Sequence, residues 1–259
     1  MHKSETAGLS WNEATRVGFI ELSTSLAVSA EAPEALPPGV KPLLTRLRLP
    51  GGEVSAAALD EMVASDRLEE ASRELADGGA RVVSFACTTG SLIRGPGFDR
   101  ELVERMERAS GVRASTTSTA LVAALEALGA RTVAVATPYV DELNELERRF
   151  LEAGGFEVTA LRGLGISSDP DIVRVPYSRT RELALEVAAE GGEPDVVFIS
   201  CTNLPTLAVL DDLEQTLGRP VLSSNAVTIW HALLLAGAEP AAAGLGSLLA
   251  GRATVASAG

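Results

Sequence analysis

Two stretches of this chain match each other, and they constrain its fold more than any other feature. The first reads Arg81-Val-Val-Ser-Phe-Ala-Cys87-Thr-Thr-Gly90, and the second reads Asp195-Val-Val-Phe-Ile-Ser-Cys201-Thr-Asn-Leu204. Each is a continuous apolar run followed by Cys-Thr and a polar turn. Such a run predicts a strand buried on both faces, as in a parallel sheet. Ligands bind beyond the carboxyl ends of such strands, so both cysteines lie where a site is expected.

A free cysteine is also common in proteins as a small buried apolar residue. Either cysteine alone is explained equally well by that role and by a function. Two cysteines in matching contexts, each followed by a hydroxyl side chain, favour a functional role for both.

The segments around the two stretches repeat in the same order. Each half is predicted to run strand, helix, strand, helix, cysteine strand, helix, short strand, polar turn and helix. The predicted strands are 16–22, 44–49, 81–86 and 112–114 in the first half, and 131–136, 156–161, 196–200 and 220–222 in the second. The predicted helices are 55–77, 98–110, 119–128, 141–153, 180–189, 206–217 and 226–236.

This order is typical of a duplicated, doubly wound α/β unit. We therefore predict two pseudo-symmetric lobes, each a mostly parallel sheet flanked by helices, with the cysteine turns facing each other across a cleft. The first lobe is predicted to be 1–117, with 226–259 packing back onto it, and the second to be 118–225.

Four segments lie outside this pattern. Residues 31–42 contain four prolines, which argue against regular helix or central strand. We interpret this segment as a loop that either borders the site or is a plain surface connection. Residues 163–176 form its Gly/Ser/Asp/Pro-rich counterpart. Residues 1–15 are interpreted as a polar leader, and the tail from Ala241 leaves one more helix open.

The charge balance limits the classes of partner. The formal net charge of −13 argues against a broad basic surface for nucleic acid or anionic lipid. No apolar run approaches the ~18–20 residues of a membrane span, and the N-terminus lacks a secretory h-region. Two cysteines without Cys-x-x-Cys spacing suit a reducing compartment. We predict a soluble cytoplasmic protein with no nucleic-acid or membrane partner, and leave a homo-oligomer open.

No cofactor is predicted from the motifs. The chain has two histidines, His2 and His231, and no Cys/His cluster, which leaves no credible metal-ligand set. Gly163-Leu-Gly165 lacks the third glycine and the strand-to-helix context of a dinucleotide site. His231 lies mid-helix beside Trp230, where packing is the more common role.

Paired thiols suit proton transfer at carbon. Moving a proton on one face and off the other takes two groups whose pKa lies near the working pH. A free cysteine has a pKa near ~8.5, which falls where donors stabilise the thiolate. The neighbouring groups able to hold a carboxylate or an enediolate are Thr88, Thr89, Thr202 and Asn203. The hydroxyl of Tyr139, after another strand end, is a further candidate donor.

Five segments between about 81 and 237 carry a resemblance to a known family. They are Ala86-Cys-Thr-Thr-Gly90, Thr116-Thr-Ser-Thr-Ala120, Ala136-Thr-Pro-Tyr-Val140 with Asn144, Ser200-Cys-Thr-Asn-Leu-Pro205, and Pro220-Val-Leu-Ser-Ser-Asn225 with Trp230. Together they resemble the Asp/Glu racemase superfamily. The resemblance is stronger to its branch of maleate cis–trans isomerases, arylmalonate decarboxylases and ectoine-utilisation isomerase-like proteins.

The resemblance implies a cofactor-independent enzyme with its site between two pseudo-symmetric lobes. It implies that Cys87 is the nucleophile or base on the first lobe and that Cys201 is its partner on the second. The implied carboxylate or enediolate ligands are Thr88, Thr89, Tyr139, Thr202 and Asn203.

Two positions refine what the resemblance implies. In the decarboxylase group the position of Cys87 is typically glycine, so a cysteine there points away from decarboxylation. Similar isomerases carry Pro-Ser-Ser-Asn-Thr where this chain has Leu22-Ser-Thr-Ser-Leu26. Ser25 therefore stands where the substrate-binding asparagine would be, which favours a carboxylate related to maleate rather than maleate itself.

We accordingly predict an isomerase of a small carboxylic acid, maleate-like, that uses both cysteines. The enzymatic alternatives are a racemase of an α-substituted acid and a decarboxylase of an (aryl)malonate. The alternative from another class is a ligand-binding relative without catalytic activity. A binding protein has no reason to keep two thiols in mirrored turns, which argues against it.

Overall fold

Two separate four-stranded sheets have the same strand order within residues 13–252, the part of the chain that the computed structural model describes. The order is β2-β1-β3-β4 in the first sheet and β6-β5-β7-β8 in the second, and all pairings between these strands are parallel. The strands are β1 (Thr15–Leu22), β2 (Val40–Leu47), β3 (Val82–Phe85), β4 (Arg113–Thr116), β5 (Thr132–Thr137), β6 (Glu157–Gly163), β7 (Val196–Ile199) and β8 (Val221–Ser223). The predicted α/β fold of two similar lobes is confirmed.

Helices flank both sheets. They are α1 (Ala27–Ala35), α2 (Ala56–Ala64), α3 (Arg67–Asp77), α4 (Thr88–Leu92), α5 (Phe98–Ser110), α6 (Thr117–Ala127), α7 (Asp141–Ala153), α8 (Asp169–Ile172), α9 (Tyr177–Glu190), α10 (Leu207–Leu217) and α11 (Ser224–Ala236). Two predicted helices, α5 and α7, begin and end at the predicted residues. Both have acidic residues in the first turn, which favour the positive end of the helix dipole.

The prediction of a loop over 31–42 is wrong at both ends. Helix α1 contains Pro33, and edge strand β2 contains Pro42. An edge strand tolerates proline, because one side of it has no neighbour that needs the missing N–H. Burial of one face of α1, including Val28, Ala32 and Ala35, stabilises that helix despite its proline.

Three other segments differ from what the sequence pattern led us to expect. The single helix expected over 55–77 is two helices, because the chain is extended at Ser65, the C-cap of α2. The loop expected over 163–176 contains the short helix α8. The tail forms turns rather than a helix as far as residue 252. The rest of the tail, residues 1–12 of the leader and His2 lie outside the described residues.

The central strands place the site. All residues of β3 and β7 are buried, which fixes Cys87 and Cys201 just beyond their carboxyl ends. Helix α11 packs against α6 and against three strands of the first sheet, β1, β3 and β4. The boundary predicted between the lobes at 117/118 stays a prediction. Among the helices within residues 13–252, none combines the length and apolar character needed to cross a membrane.

Candidate active site

A single small cavity contains both thiols. Its empty volume is about 230 Å³. It is lined by Leu22, Ser25, Val54, Cys87, Thr88, Thr89, Tyr139, Asp169, Cys201 and Thr202. The structure thus brings together, from both lobes, all but one of the predicted site residues. The exception is Asn203, which is not part of this lining.

Cys87 lies in a relaxed turn that leads directly into a helix. It is the N-cap of α4, with extended backbone (φ −153°, ψ 109°). Its Sγ accepts a hydrogen bond from the N–H of Gly90 at 3.3 Å, and the side chain of Thr89 also favours its thiolate form. A Cβ at position 90 would lie 2.8 Å from this sulfur. Glycine at 90 therefore permits the close approach between the thiol and the backbone.

Cys201 lies in a strained turn. Among the described residues it is the only non-glycine residue with positive φ, at 93°. Its N–H donates to the Oγ of Ser224 at 2.9 Å, and its Sγ accepts from the N–H of Asn203 at 3.3 Å. The side chain of Tyr139 favours the thiolate form of this sulfur and so opposes the rise in the pKa of Cys201. The backbone conformation and these contacts direct the thiol into the cavity.

Both thiols are protonated in this arrangement. Burial raises the pKa of Cys87 to about 12, and the negative charge of Asp169 adds to the shift. Burial and Asp169 raise the pKa of Cys201 further still. Burial also keeps the pKa of Tyr139 well above its ordinary value, so its hydroxyl remains a neutral donor. Chemistry at this site therefore starts from a thiol and requires transfer of its proton.

Hydroxyl groups join the two cysteine turns across the cleft. The Oγ1 of Thr88 and the Oγ of Ser224 are 2.8 Å apart, and Ser224 is the residue that accepts from the N–H of Cys201. The Oγ1 of Thr202 donates to the carbonyl of Ala86 at 3.0 Å. Two of the three threonine ligands expected from the sequence thus also hold the lobes together.

Tyr139 is fixed by the turn that follows β5. Its N–H donates to the Oγ1 of Thr137 at 3.2 Å, and its carbonyl accepts from the Nδ2 of Asn144 at 3.4 Å. A Cβ at position 163 would lie 2.3 Å from the Tyr139 carbonyl oxygen. The glycine that ends β6 therefore allows β6 to pass close to this turn.

The amide of Asn203 connects the lobes. Its Oδ1 accepts from the N–H of Leu26 at 2.9 Å, and its Nδ2 donates to the backbone carbonyl of Asp169 at 2.8 Å. With both ends of the amide engaged, the side chain positions the cavity wall, while its N–H supports the thiol of Cys201.

Sequence reasoning missed Asp169, a carboxylic acid in the cavity wall. Asp169 is 1% exposed, although the segment that contains it was expected to be a loop. Its Oδ2 accepts hydrogen bonds from the Oγ1 of Thr24 at 2.5 Å and the Oγ of Ser25 at 3.3 Å. Burial raises the pKa of Asp169, and the hydrogen bonds from Thr24 and Ser25, together with the nearby amide of Asn203, lower it in part. An Asp-Pro pair after two serines was the available signal, and it indicates only a turn or helix start.

His231 has a packing role, as its position predicted. Its Nδ1 is 2.7 Å from the Oγ of Ser115, and its ring stacks on Trp230. Burial lowers its pKa to about 4, and it does not line the cavity. Within residues 13–252, no group of three or more His, Cys, Asp or Glu side chains is arranged to hold a metal ion.

Comparison with known proteins identifies two kinds of relative. A family model for arylmalonate decarboxylase matches residues 18–249. The arylmalonate decarboxylase of Bordetella bronchiseptica is 35% identical over 186 residues, which span 72% of this chain and 77% of that protein. The maleate isomerase of Nocardia farcinica (strain IFM 10152) is 29% identical over 242 residues, spanning 90% of this chain and 95% of that protein.

A solved structure adds chemical information about a relative. A maleate cis–trans isomerase of Nocardia farcinica matches with a TM-score of 0.84 at 27% identity, covering 91% of this chain and 98% of that one. In that protein a cysteine had been replaced by serine, and a succinylcysteine intermediate was covalently bound. A cysteine of that isomerase therefore forms a bond to a four-carbon diacid.

Proposed function

This chain belongs to the arylmalonate decarboxylase family, and we propose that it is a cofactor-independent isomerase that converts a small cis-alkene acid, maleate-like, into the trans form. The observation that carries the proposal is that Cys87 and Cys201 line one cavity from opposite lobes. The decarboxylase branch that the sequence resembles typically has glycine at the position of Cys87. Isomerisation by addition uses one thiol to bond to carbon and the other to supply a proton, whereas decarboxylation needs a thiol only to supply a proton. A thiol on each side of the cavity therefore favours isomerisation.

In the proposed reaction the two thiols divide the work. The Sγ of Cys87 adds to one alkene carbon as its proton passes to a carboxylate of the substrate, and the other carbon takes a proton from Cys201. The carbon–carbon bond is then single and rotates. The thiolate of Cys201 removes the proton again, the bond from Cys87 to carbon breaks, and the double bond forms in the trans geometry. Atoms and charge balance, because the substrate carboxylate returns its proton to Cys87 and both cysteines end as thiols.

Neutral donors suit the charge that develops in this reaction. Addition beside a carboxylate passes through an enediolate-like anion, which hydrogen-bond donors stabilise strongly in a site that excludes water. We propose that Thr88, Thr89 and Tyr139, which line the cavity, supply those donors, and that Thr202, whose hydroxyl donates to the carbonyl of Ala86, shapes the cavity wall. For Asn203 we propose a positioning role, because its amide joins Leu26 to Asp169.

A second candidate function is a racemase that uses two bases. Thiols on opposite walls of a cavity also suit removal of an α-proton from one face and its return to the other. The two reactions differ in their products: the isomerase gives an alkene, and the racemase gives an inverted sp³ carbon.

Proton NMR in D₂O tests the proposal directly. The panel contains cis-alkene acids, 2-substituted chiral acids and an arylmalonate. We expect trans product from a cis-alkene acid, with vinyl protons exchanged incompletely. Full deuterium at an inverted sp³ carbon, with the alkenes untouched, would establish the racemase instead. Loss of carbon dioxide from the arylmalonate alone would establish a decarboxylase.

Two further predictions accompany this function. The described structure has both cysteines free, in keeping with a reducing cytoplasm, and we propose that location. We also propose lobe boundaries at 117/118 and 225/226, to be tested by expressing the lobes separately.

A further inference from the structure

The carboxyl group of Asp169 distinguishes this cavity from a simple dicarboxylate site. The lining residues are apolar side chains, hydroxyls, two thiols and this one carboxyl group. None of the lining residues within the described part of the chain is Lys, Arg or His. The cavity therefore contains an acid and no basic side chain to offset it.

Hydrogen bonds across the cleft hold Asp169 in place, and they engage one of its two carboxyl oxygens. Thr24 and Ser25, from the first lobe, both donate to Oδ2. Asn203 holds the backbone carbonyl of the same residue at 2.8 Å. Within residues 13–252, no side-chain hydrogen bond reaches Oδ1. One oxygen of the carboxylate is thus anchored, and the other is available to accept from a ligand.

The available oxygen, Oδ1 of Asp169, determines which functional group a ligand can place against it. A dicarboxylate would bring two carboxylates into a small cavity that already contains the carboxyl group of Asp169 and no basic side chain, and like charges in a desolvated site repel strongly. A ligand with an N–H group at one end would instead donate to Oδ1. Its single carboxylate would still have Thr89 and Tyr139 as neutral donors.

We propose that Asp169 selects a monocarboxylate whose second polar group is an N–H donor, either an amide or an ammonium group, in preference to a dicarboxylate. This inference deepens the proposed function and rests on it for the reaction, because the compound isomerised would be a cis-alkene acid of this class. The role of Asp169 is recognition: it contacts the substrate at the end that does not react.

Equilibrium binding tests this preference without any turnover. Succinate, succinamate and 4-aminobutyrate share a four-carbon chain and lack a double bond, so cis–trans chemistry cannot alter them. Titration calorimetry at pH 8 with the wild-type protein should give at least tenfold tighter binding of one N–H compound than of succinate. Comparison of succinamate with 4-aminobutyrate separates the amide from the ammonium group. Equal or tighter binding of succinate overturns the proposal.

A variant and a matched control locate the effect. Asp169→Asn keeps the size of the side chain and removes its charge, so the preference should move at least tenfold towards succinate. Asp171→Asn changes an exposed acid of the same helix, which pairs with Arg174 outside the cavity, and should leave all three affinities unchanged. An equal shift in both variants would assign the preference to general charge and overturn the proposal. If Asp169→Asn does not fold, the wild-type affinities alone decide.

Turnover separates this inference from the proposed function. Maleate and its monoamide, maleamate, are compared by proton NMR with the wild-type protein. Faster isomerisation of maleamate, by at least tenfold in kcat/KM, supports both proposals. Preferential isomerisation of maleate keeps the proposed function and overturns the role of Asp169. If neither alkene reacts while succinamate still binds more tightly than succinate, the isomerase proposal fails and the recognition role stands.

Discussion

The two cysteine turns have similar sequences and equivalent places in their sheets, yet their local structures differ. Cys87 has extended backbone and caps a helix that starts at the next residue. Cys201 has a left-handed backbone, and the next helix, α10, begins at Leu207. A left-handed conformation at a residue with a side chain costs of order 1–3 kcal/mol. The backbone at the cysteine is therefore strained in the second lobe and unstrained in the first.

The surroundings of the two sulfurs differ as well. At equivalent strand ends, the second lobe places Tyr139, which opposes the rise in the pKa of Cys201, and the first lobe places Ser25, which donates to Asp169. The second lobe thus supplies both a thiol with a phenol nearby and the Asp169 carboxyl group, and the first lobe supplies a hydroxyl that donates to that carboxyl group. Pseudo-symmetry of the backbone does not extend to the chemistry.

Removing either thiol should have the largest effect. Cys87→Ala and Cys201→Ala should each fold, and each should lower kcat by roughly 10²–10⁴-fold, the usual contribution of a proton-transfer group, or more where covalent catalysis is lost. Steady-state kinetics on the substrate found by the NMR panel measures this, with circular dichroism as the folding control. Near wild-type turnover in either variant would show that only one of the two turns is catalytic.

Two buried acids on equivalent helices offer a second comparison. Glu31 of α1 accepts hydrogen bonds from the N–H groups of Thr206 and Leu207 and from Asn225. Glu147 of α7 is fully buried, and burial raises its pKa from 4.5 to about 7, opposed only by the nearby hydroxyl of Ser200. Glu147 therefore has fewer hydrogen bonds than Glu31 to offset the cost of burying its carboxyl group.

Glu147 should make stability depend on pH. The raised pKa means that the folded state favours the neutral acid, so its stabilising contribution is complete below about pH 4.5 and is lost as pH rises through about 7. Between pH 5 and 9 the free energy of unfolding should fall by roughly 3 kcal/mol from this group. Glu147→Gln should remove that fall, as measured by urea unfolding at each pH. An unchanged pH profile in the variant would mean that Glu147 is paired.

Loss of the phenol donor should have a smaller effect on turnover. Tyr139→Phe removes the phenol that favours the thiolate of Cys201, and a hydrogen bond to a group that becomes charged is worth ~1.5–3 kcal/mol, or roughly 10–100-fold in kcat. Tyr177→Phe is the matched control, because the other tyrosine of the chain is 45% exposed and lies outside the cavity. Equal kinetics for the two variants would show that Tyr139 does not contribute to catalysis.

Glycine substitutions should show the smallest effect and test the strain directly. Cys201→Gly should be more stable than Cys201→Ala by about 1 kcal/mol, because glycine adopts positive φ without steric cost. Cys87→Gly should be less stable than Cys87→Ala by about 0.5–1 kcal/mol, because extended backbone gives glycine no such advantage. Thermal unfolding compares the pairs. The same sign of difference at both positions would contradict the contrast between the turns.

The sequence by itself determined the elements and their order. The apolar runs of β3 and β7 and the helical spacing of α5 and α7 are local patterns, and a local pattern is enough to specify a strand or a helix. The duplication then determined the two matching sheets, and the strand ends determined that the thiols face a common cleft. Proline was the exception, because burial of α1 and the edge position of β2 outweighed its local preference.

Tertiary structure alone decided which polar groups meet at that cleft. Asp169 and Ser25 are 144 residues apart in the chain, and Thr88 and Ser224 are 136 apart. No local pattern encodes such a pair, since each partner satisfies its own turn or helix end equally well without the other. Their meeting follows from how the lobes pack, which also places a carboxyl group and a strained cysteine in one small, buried cavity.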